Sequence, residues 1–230
     1  MSTTAALSIV MPVLNEAAHI GATLSALAPM IARGAELIVV DGGSEDDTVL
    51  IAREHGARVT VAPRSRATQM NAGAALAHGE ALLFLHADSA LPADADQRVL
   101  EALASRSWGR FDVTLEGRHW MLPVVATLMN LRSRLTGIAT GDQAMFMRRA
   151  AFDRAGGFPA QPLMEDIALS TRLRRQGSPA CVRAHVATSG RRWETQGVWR
   201  TVLLMWRLRL AYWLGTSPAE LHRRYYGPQP

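Results

Sequence analysis

Ala81-Leu82-Leu83-Phe84-Leu85-His86-Ala87-Asp88-Ser89 decides the fold of this chain. Five apolar residues in a row read as a buried strand, and nothing in sheet stability calls for an imidazole and a carboxylate at its exit. Such an edge reads as a place where charge is held, most simply a divalent cation and the phosphates it carries. Two earlier runs end in the same way. Leu37-Ile38-Val39-Val40 leads into Asp41-Gly42-Gly43-Ser44, and Leu7-Ser8-Ile9-Val10-Met11-Pro12 leads into Val13-Leu14-Asn15-Glu16. Three strands delivering polar groups at their C-terminal ends describe a ligand crevice in an open α/β sheet, of the kind that takes a nucleotide.

The rest of the first hundred residues fits that frame. A helix is predicted near 16–32, where Ile20, Leu24, Leu27 and Ile31 recur at helical spacing. Ser44-Glu45-Asp46-Asp47 reads as an acidic helix start, 58–61 as a short strand and 66–78 as a helix. This βαβ rhythm implies parallel strands with helices on both faces. In the second half, helices are predicted over 122–135 and from Met164-Glu165-Asp166-Ile167 to Gly177, and a strand near 180–187.

Composition bounds the answer. At 230 residues the chain suits one sizeable core, and 48% hydrophobic with 20% charged residues is ordinary for a globular protein. A formal charge of +5 and a pI near 10.5 suit phosphorylated substrates, anionic headgroups or nucleic acid equally, so charge does not choose. The single cysteine, Cys181, excludes an internal disulfide and a cysteine-based metal site. With no secretory pattern and no apolar run of about 20 residues, a cytoplasmic enzyme is expected, with peripheral attachment to the inner face of the cell membrane left open.

These motifs carry a resemblance. Ser8–Glu16, Val39-Val40-Asp41-Gly42-Gly43-Ser44 with Asp46 and Thr48, Asn71-Ala72-Gly73, Phe84–Ser89 and Met164-Glu165-Asp166 follow one another as in the family-2 glycosyltransferases. Across residues 7–178 the chain resembles that family, and above all its small bacterial members of unassigned acceptor with Gly-Asp-Gln and Ser-Gly-Arg-Arg-Trp motifs. The resemblance implies a GT-A Rossmann-like α/β fold, with a mixed, mostly parallel sheet flanked by helices. It also implies transfer of a sugar, with inversion, from a nucleotide-diphosphate donor to a hydroxyl acceptor, using Mg²⁺ or Mn²⁺.

Pro12, lacking an N–H, is expected to end the first strand. Glu16 stands either as a ribose or base contact or as a charge favoured at a helix start. Asp41 can accept the imide N–H of uracil or the corresponding N–H of guanine, so UDP-sugars are favoured and GDP-sugars stay open; an N-cap role competes. Asp88 matches the metal-binding acid of the family's DxD motif. The first acid of that motif is here His86, a second metal ligand or a ribose contact. Where the family carries an arginine before the asparagine, this chain has Met70, which moves the nucleotide or diphosphate contact to Arg66.

Asp166, beside Glu165 at a helix start, is the expected base that takes the proton from the attacking hydroxyl. Asp142 and Gln143 stand as acceptor contacts or turn residues. Ser189-Gly190-Arg191-Arg192-Trp193 matches the Arg-Trp of the processive members' Gln-x-x-Arg-Trp motif, with Ser189 in place of the glutamine. That argues against processive synthesis and leaves Arg192 as a diphosphate contact and Trp193 on the acceptor side.

The division expected is a transferase domain over 1–190 and an amphipathic helical extension over 191–230. In the extension Trp199, Trp206 and Trp213 share one stripe with Leu203 and Leu210, beside a second stripe of Arg200 and Arg207. This pattern suits an anionic membrane surface or a homodimer seam; nucleic acid is not an expected partner. Two competing readings are a nucleotidyltransferase of similar fold, disfavoured because no Gly-rich basic loop follows the first strand, and a catalytically silent sugar-nucleotide-binding or membrane-docking module.

Overall fold

A computed structural model describes residues 5–227 of the chain. The first half runs β1 (Leu7–Val13), α1 (Ala17–Ala32), β2 (Glu36–Asp41), α2 (Thr48–Glu54), β3 (Arg58–Val61), α3 (Arg66–Leu76) and β4 (Ala81–Phe84). The second half runs β5 (Ser89–Ala90), α4 (Ala95–Ser105), β6 (Trp108–Glu116), α5 (Leu122–Thr136), a 3-10 turn over Gly141–Gln143, β7 (Phe146–Arg148), α6 (Arg149–Ala155), α7 (Glu165–Arg174) and β8 (Ala180–Ser189). Helices α8 (Arg191–Gln196), α9 (Val198–Trp213) and α10 (Pro218–Tyr226) follow.

The strands form one sheet in the order β3-β2-β1-β4-β7-β6-β8-β5. From β3 to β4 every neighbour is parallel; β7 then runs antiparallel to β4 and β6, and β8 lies parallel to β6. The mixed, mostly parallel sheet is as expected. The period of two sorts the apolar residues between its faces. Leu7, Ile9 and Met11 of β1, Leu37 and Val39 of β2, and Leu83 of β4 pack with Ile20, Leu24 and Leu27 of α1 on one side. Val10, Ile38, Val40, Leu82 and Phe84 pack on the other with Met70 of α3 and Leu169 of α7. Each such fully buried aliphatic side chain contributes about 1.5–3 kcal/mol of burial free energy.

Three local expectations are corrected. Pro12 does not end β1: it pairs with Val40, and Val13 with Asp41. The Val13 carbonyl faces β2 and the Val10 carbonyl faces β4, so alternation turns the Pro12 nitrogen toward β4 beyond that strand's last residue. No ladder bond is lost there. The helix after β2 begins at Thr48, because Ser44 and Asp46 are used elsewhere: they accept from the Asn15 and Ala17 N–H groups and tie the two crevice loops together. The segment 89–121, for which no elements were predicted, holds β5, α4 and β6. In β6 the wholly buried Arg110 pairs with Asp112, which also pairs with Arg134 of α5.

The extension after Gly190 is three helices and not one. Gly197 (φ 83°) and Gly215 (φ 91°) take left-handed conformations at the breaks. Helix α9 buries Val198, Thr201 and Leu208, and its Trp199, Trp206 and Trp213 are 63%, 71% and 81% exposed. Helix α5 presents a second apolar stripe, Val124, Leu128, Leu131 and Leu135, also exposed. Among the described residues no helix is long and apolar enough to cross a membrane.

Candidate active site

A small cleft opens where β4 ends and the 3-10 turn meets the first turn of α7. Arg66, His86, Gly141, Glu165 and Asp166 line it over an apolar floor of Met70, Phe84, Met145 and Phe158. Phe158 meets Phe84 edge-on, centroids 4.8 Å apart, which fixes the floor.

Asp166 is held from two sides. Its Oδ2 accepts the Gly141 N–H at 2.8 Å and its Oδ1 accepts the Ile167 N–H at 2.7 Å. Glu165 beside it is buried, and its carboxyl is pushed up by that burial and then by the Asp166 charge. His86 lies with Nδ1 3.5 Å from Oδ1 of Asp142. Burial pushes the Asp142 carboxyl up, but the His86 bond, the His86 charge and then Arg66 together bring it below the usual range. The turn needs glycine at 141: a Cβ there would stand 2.6 Å from His86 Nε2. Left-handed backbone at three non-glycine positions, Asn15 (φ 52°), Ala144 (φ 43°) and Met164 (φ 64°), lies next to this crevice, where such strain tends to be kept.

A second group centres on Glu16. Glu16 follows β1, and its carboxyl is pushed up by burial and by Asp88, against the lowering charges of His19, Arg191 and Arg66. Arg191 reaches from α8 to His19 Nε2 at 2.7 Å. The two carboxylates lie within electrostatic reach of one another, and among the described residues no cluster of three or more His, Cys, Asp or Glu side chains forms a metal cage; a hard divalent ion held by one or two carboxylates completes its shell with phosphate oxygens and water. His86 is turned toward Asp142, not toward this pair.

Other expected site residues, and two amides of α3, make bonds that hold the frame together. Asp41 is buried, and its carboxylate accepts from the Gly43 N–H and from the Ser44 N–H and hydroxyl. Gln69 donates to the Val13 and Val40 carbonyls at 2.8 Å each, locking the ends of β1 and β2. Asn71 exchanges two bonds with the Phe158 backbone, at 2.8 and 2.9 Å, and so anchors α3 to the loop before α7. Gln143 is wholly buried and bonds to Asn130 Oδ1 at 3.3 Å. The Arg192 guanidinium stacks 3.6 Å from the Tyr225 ring centroid, and Trp193 packs into the apolar cluster of α5 and Val198.

The structure thus gathers His86, Asp142, Glu165, Asp166 and Arg66 about the cleft, and Arg66 also lies within electrostatic reach of Glu16, which feels Asp88. Gln143, Trp193 and Pro12 lie in supporting positions. Sequence reasoning passed over Arg132 and Arg209, which lie within electrostatic reach of Asp166 and Asp142. Their one signal was position, a charge at the border of an apolar stripe.

An open α/β sheet with acidic groups at the carboxyl ends of its parallel strands defines a nucleotide-binding transferase architecture. Residues 8–155 match the model of "Glycosyl transferase family 2", and the chain belongs to that family. It is 27% identical over 183 residues to an uncharacterized glycosyltransferase of Mycobacterium tuberculosis, covering 73% of this chain and 82% of that one. A Pyrobaculum calidifontis mannosyltransferase, solved with GDP-Man and Mn²⁺, superposes with a TM-score of 0.67 at 20% identity over 97% of this chain and 70% of its own. S. aureus TarS 1-349 with UDP-GlcNAc superposes at 0.63 and 17% identity over 80% of this chain. Our chain spans 58% of that TarS chain's length. The likeness to the solved structures shows the fold.

Proposed function

We propose that this glycosyltransferase moves a sugar, with inversion, from a nucleotide-diphosphate donor to a hydroxyl acceptor. The single observation that carries the reading is the Asp166 carboxylate, fixed by two backbone N–H groups at the mouth of a cleft beneath Arg66. A base so held is aligned to take a proton from an attacking hydroxyl, a contribution of about 10²–10⁴-fold. Glu165, raised by burial, holds a proton more readily than an ordinary glutamate.

Asp88 with Glu16 is assigned to a divalent ion, Mn²⁺ or Mg²⁺; the presence of Mn²⁺ in the mannosyltransferase structure supports this. When bound, such an ion neutralises charge on the departing diphosphate. Arg66 and Arg191 are assigned to the same phosphates, and the Asp41 turn to the base, with UDP favoured and GDP retained. His86 is read as a positioning residue for Asp142 on the acceptor side. We keep residues 1–190 as the transferase domain and 191–230 as an extension whose exposed tryptophan stripe attaches to anionic membrane, with a lipid or lipid-linked acceptor.

The test is calorimetric titration with UDP and GDP in the presence of Mn²⁺, followed by a donor panel scored by slow hydrolysis. Metal-dependent binding of one nucleoside diphosphate, with hydrolysis of one of its sugars, supports the reading. Failure to bind either nucleotide overturns it, and binding without any turnover would mark a silent binding module instead.

A further inference from the structure

Two helices each turn a row of large apolar side chains to solvent. On α5 the row is Val124, Leu128, Leu131 and Leu135, 43–78% exposed; on α9 it is Trp199, Leu203, Trp206, Leu210 and Trp213, 57–81% exposed. Both rows follow the i, i+4, i+7, i+11 spacing of a single helix face. The inner faces of the two helices meet. Val125 and Met129 of α5 lie with Val198 and Val202 of α9 in one apolar cluster over Val113 and Leu115 of β6. Helices that bury their inner rows in a shared cluster present their outer rows away from it. Exposed apolar rows of this extent mark an interaction surface.

Charge selects the partner. From Gly117 to Thr140 and from Gly197 to Ser217 there is no aspartate or glutamate. Arg118, Arg200 and Arg207 in these segments are exposed, and no ion pair among the described residues uses them. The acids that flank α9 along the chain are taken: Glu194 accepts the Arg118 and His119 N–H groups, and Glu220 pairs with Arg223 and Arg224. A second copy of this face would set arginine against arginine. Aromatic and aliphatic rows edged by unpaired arginines, with no acid among them, match a bilayer of anionic lipid instead, with tryptophan at headgroup level.

Both helices are also tied to the candidate cleft. Leu204, Met205 and Leu208 of α9 share an apolar cluster with Met164 and Ile167, which flank Glu165 and Asp166. Helix α5 leads through Gly137 into the turn whose Gly141 N–H holds Asp166 Oδ2. We propose that α5 and α9 together form the docking face for an anionic bilayer, so that the transferase domain itself, and not the extension alone, sits on the lipid. The cleft is then presented to acceptors anchored in that bilayer. This deepens, and rests on, the membrane attachment assigned above to the α9 stripe.

The experiment places an environment-sensitive fluorophore on one introduced cysteine at a time, Leu131→Cys on α5, Leu210→Cys on α9 or Leu50→Cys on α2, in a Cys181→Ser background. Vesicles of phosphatidylglycerol and phosphatidylcholine should blue-shift the α5 and α9 probes and leave the α2 probe unmoved. Vesicles of phosphatidylcholine alone should bind at least tenfold more weakly. Leu128→Gln, Leu131→Gln and Leu135→Gln combined, in the otherwise unaltered protein, should weaken co-sedimentation tenfold or more with an unchanged melting curve. An α5 probe that stays in water while the α9 probe shifts overturns the proposal and leaves the α9 attachment standing, as does a triple variant that binds like wild type. Equal binding to the two kinds of vesicle overturns it on charge. A protein that ignores both, or whose α5 probe is shielded by dimerisation without lipid, overturns the docking face and the earlier attachment together.

Discussion

The Gly141 N–H donates to Asp166 Oδ2 at 2.8 Å, so the Gly-Asp-Gln turn and the first turn of α7 share one hydrogen bond in the candidate cleft. The same glycine leaves the space that His86 fills. Gly141→Ala should therefore displace His86 or the turn and lower transfer by at least tenfold, with far-ultraviolet circular dichroism unchanged. Wild-type turnover in that variant would show the contact to be incidental.

Asp166→Asn retains size but loses the base. Donor affinity should stay within a few-fold while transfer falls by roughly 10²–10⁴-fold. Steady-state kinetics with a fixed donor checks both, and survival of transfer near the wild-type rate would place the base elsewhere.

Glu165 gives a pH signature. Its folded-state carboxyl is raised, by burial first and then by Asp166, above the usual 4.5. Its contribution to stability is thus fully present below about pH 4.5 and is lost as the pH rises through the raised value. Glu165→Gln should match wild type in acid and melt higher at neutral pH. Melting curves taken from pH 4 to 8 would refute this if the two proteins tracked each other throughout.

Asp88→Ala should abolish Mn²⁺-dependent UDP or GDP binding and leave the fold intact, because Asp88 lies past the last paired residue of β4 and carries no core packing. His86→Ala should affect transfer more than metal affinity. Calorimetry with and without chelator separates the two, and undiminished metal dependence in the Asp88 variant would remove it from the site.

The exposed tryptophans of α9 make the fourth kind of test. Co-sedimentation with anionic vesicles should be seen at low salt and weaken as salt screens Arg200 and Arg207. Replacing Trp199, Trp206 and Trp213 together by serine is a cleaner variant than truncation. Removing α9 would strip Leu208 from the cluster that covers Met164, next to the catalytic pair. An intact protein that ignores vesicles, and becomes monomeric on Trp206→Glu, would point to a dimer seam.

The parallel half of the fold was legible because β1, β2 and β4 are buried on both faces and read as unbroken apolar runs. Arg58–Val61 and the helix from Arg66 were legible for similarly local reasons. The strand β6 was not, since Arg110 and Asp112 interrupt its apolar pattern and are satisfied by one another and by Asn130 and Arg134 of α5. For the site, Asp166 and Asp88 could be read from motif and position. Gln69 and Asn71 show what spacing alone leaves out, because their amides serve backbone groups on distant segments. The electrostatic reach of Arg132 and Arg209 to Asp166 depends on how distant helices pack, which no single-sequence period encodes.

The clamp between Asn71 and Phe158 spans 87 positions, and β4 finds its outer neighbour only in Phe146–Arg148. During synthesis the four parallel strands are complete well before either partner exists. A nascent chain halted before residue 146 would carry β4 as an open edge and an Asn71 amide with no carbonyl to hold. Emergence of β7 and then of the Gly156-Gly157-Phe158 turn joins β6 to β4 and anchors α3, while β8 is still to come.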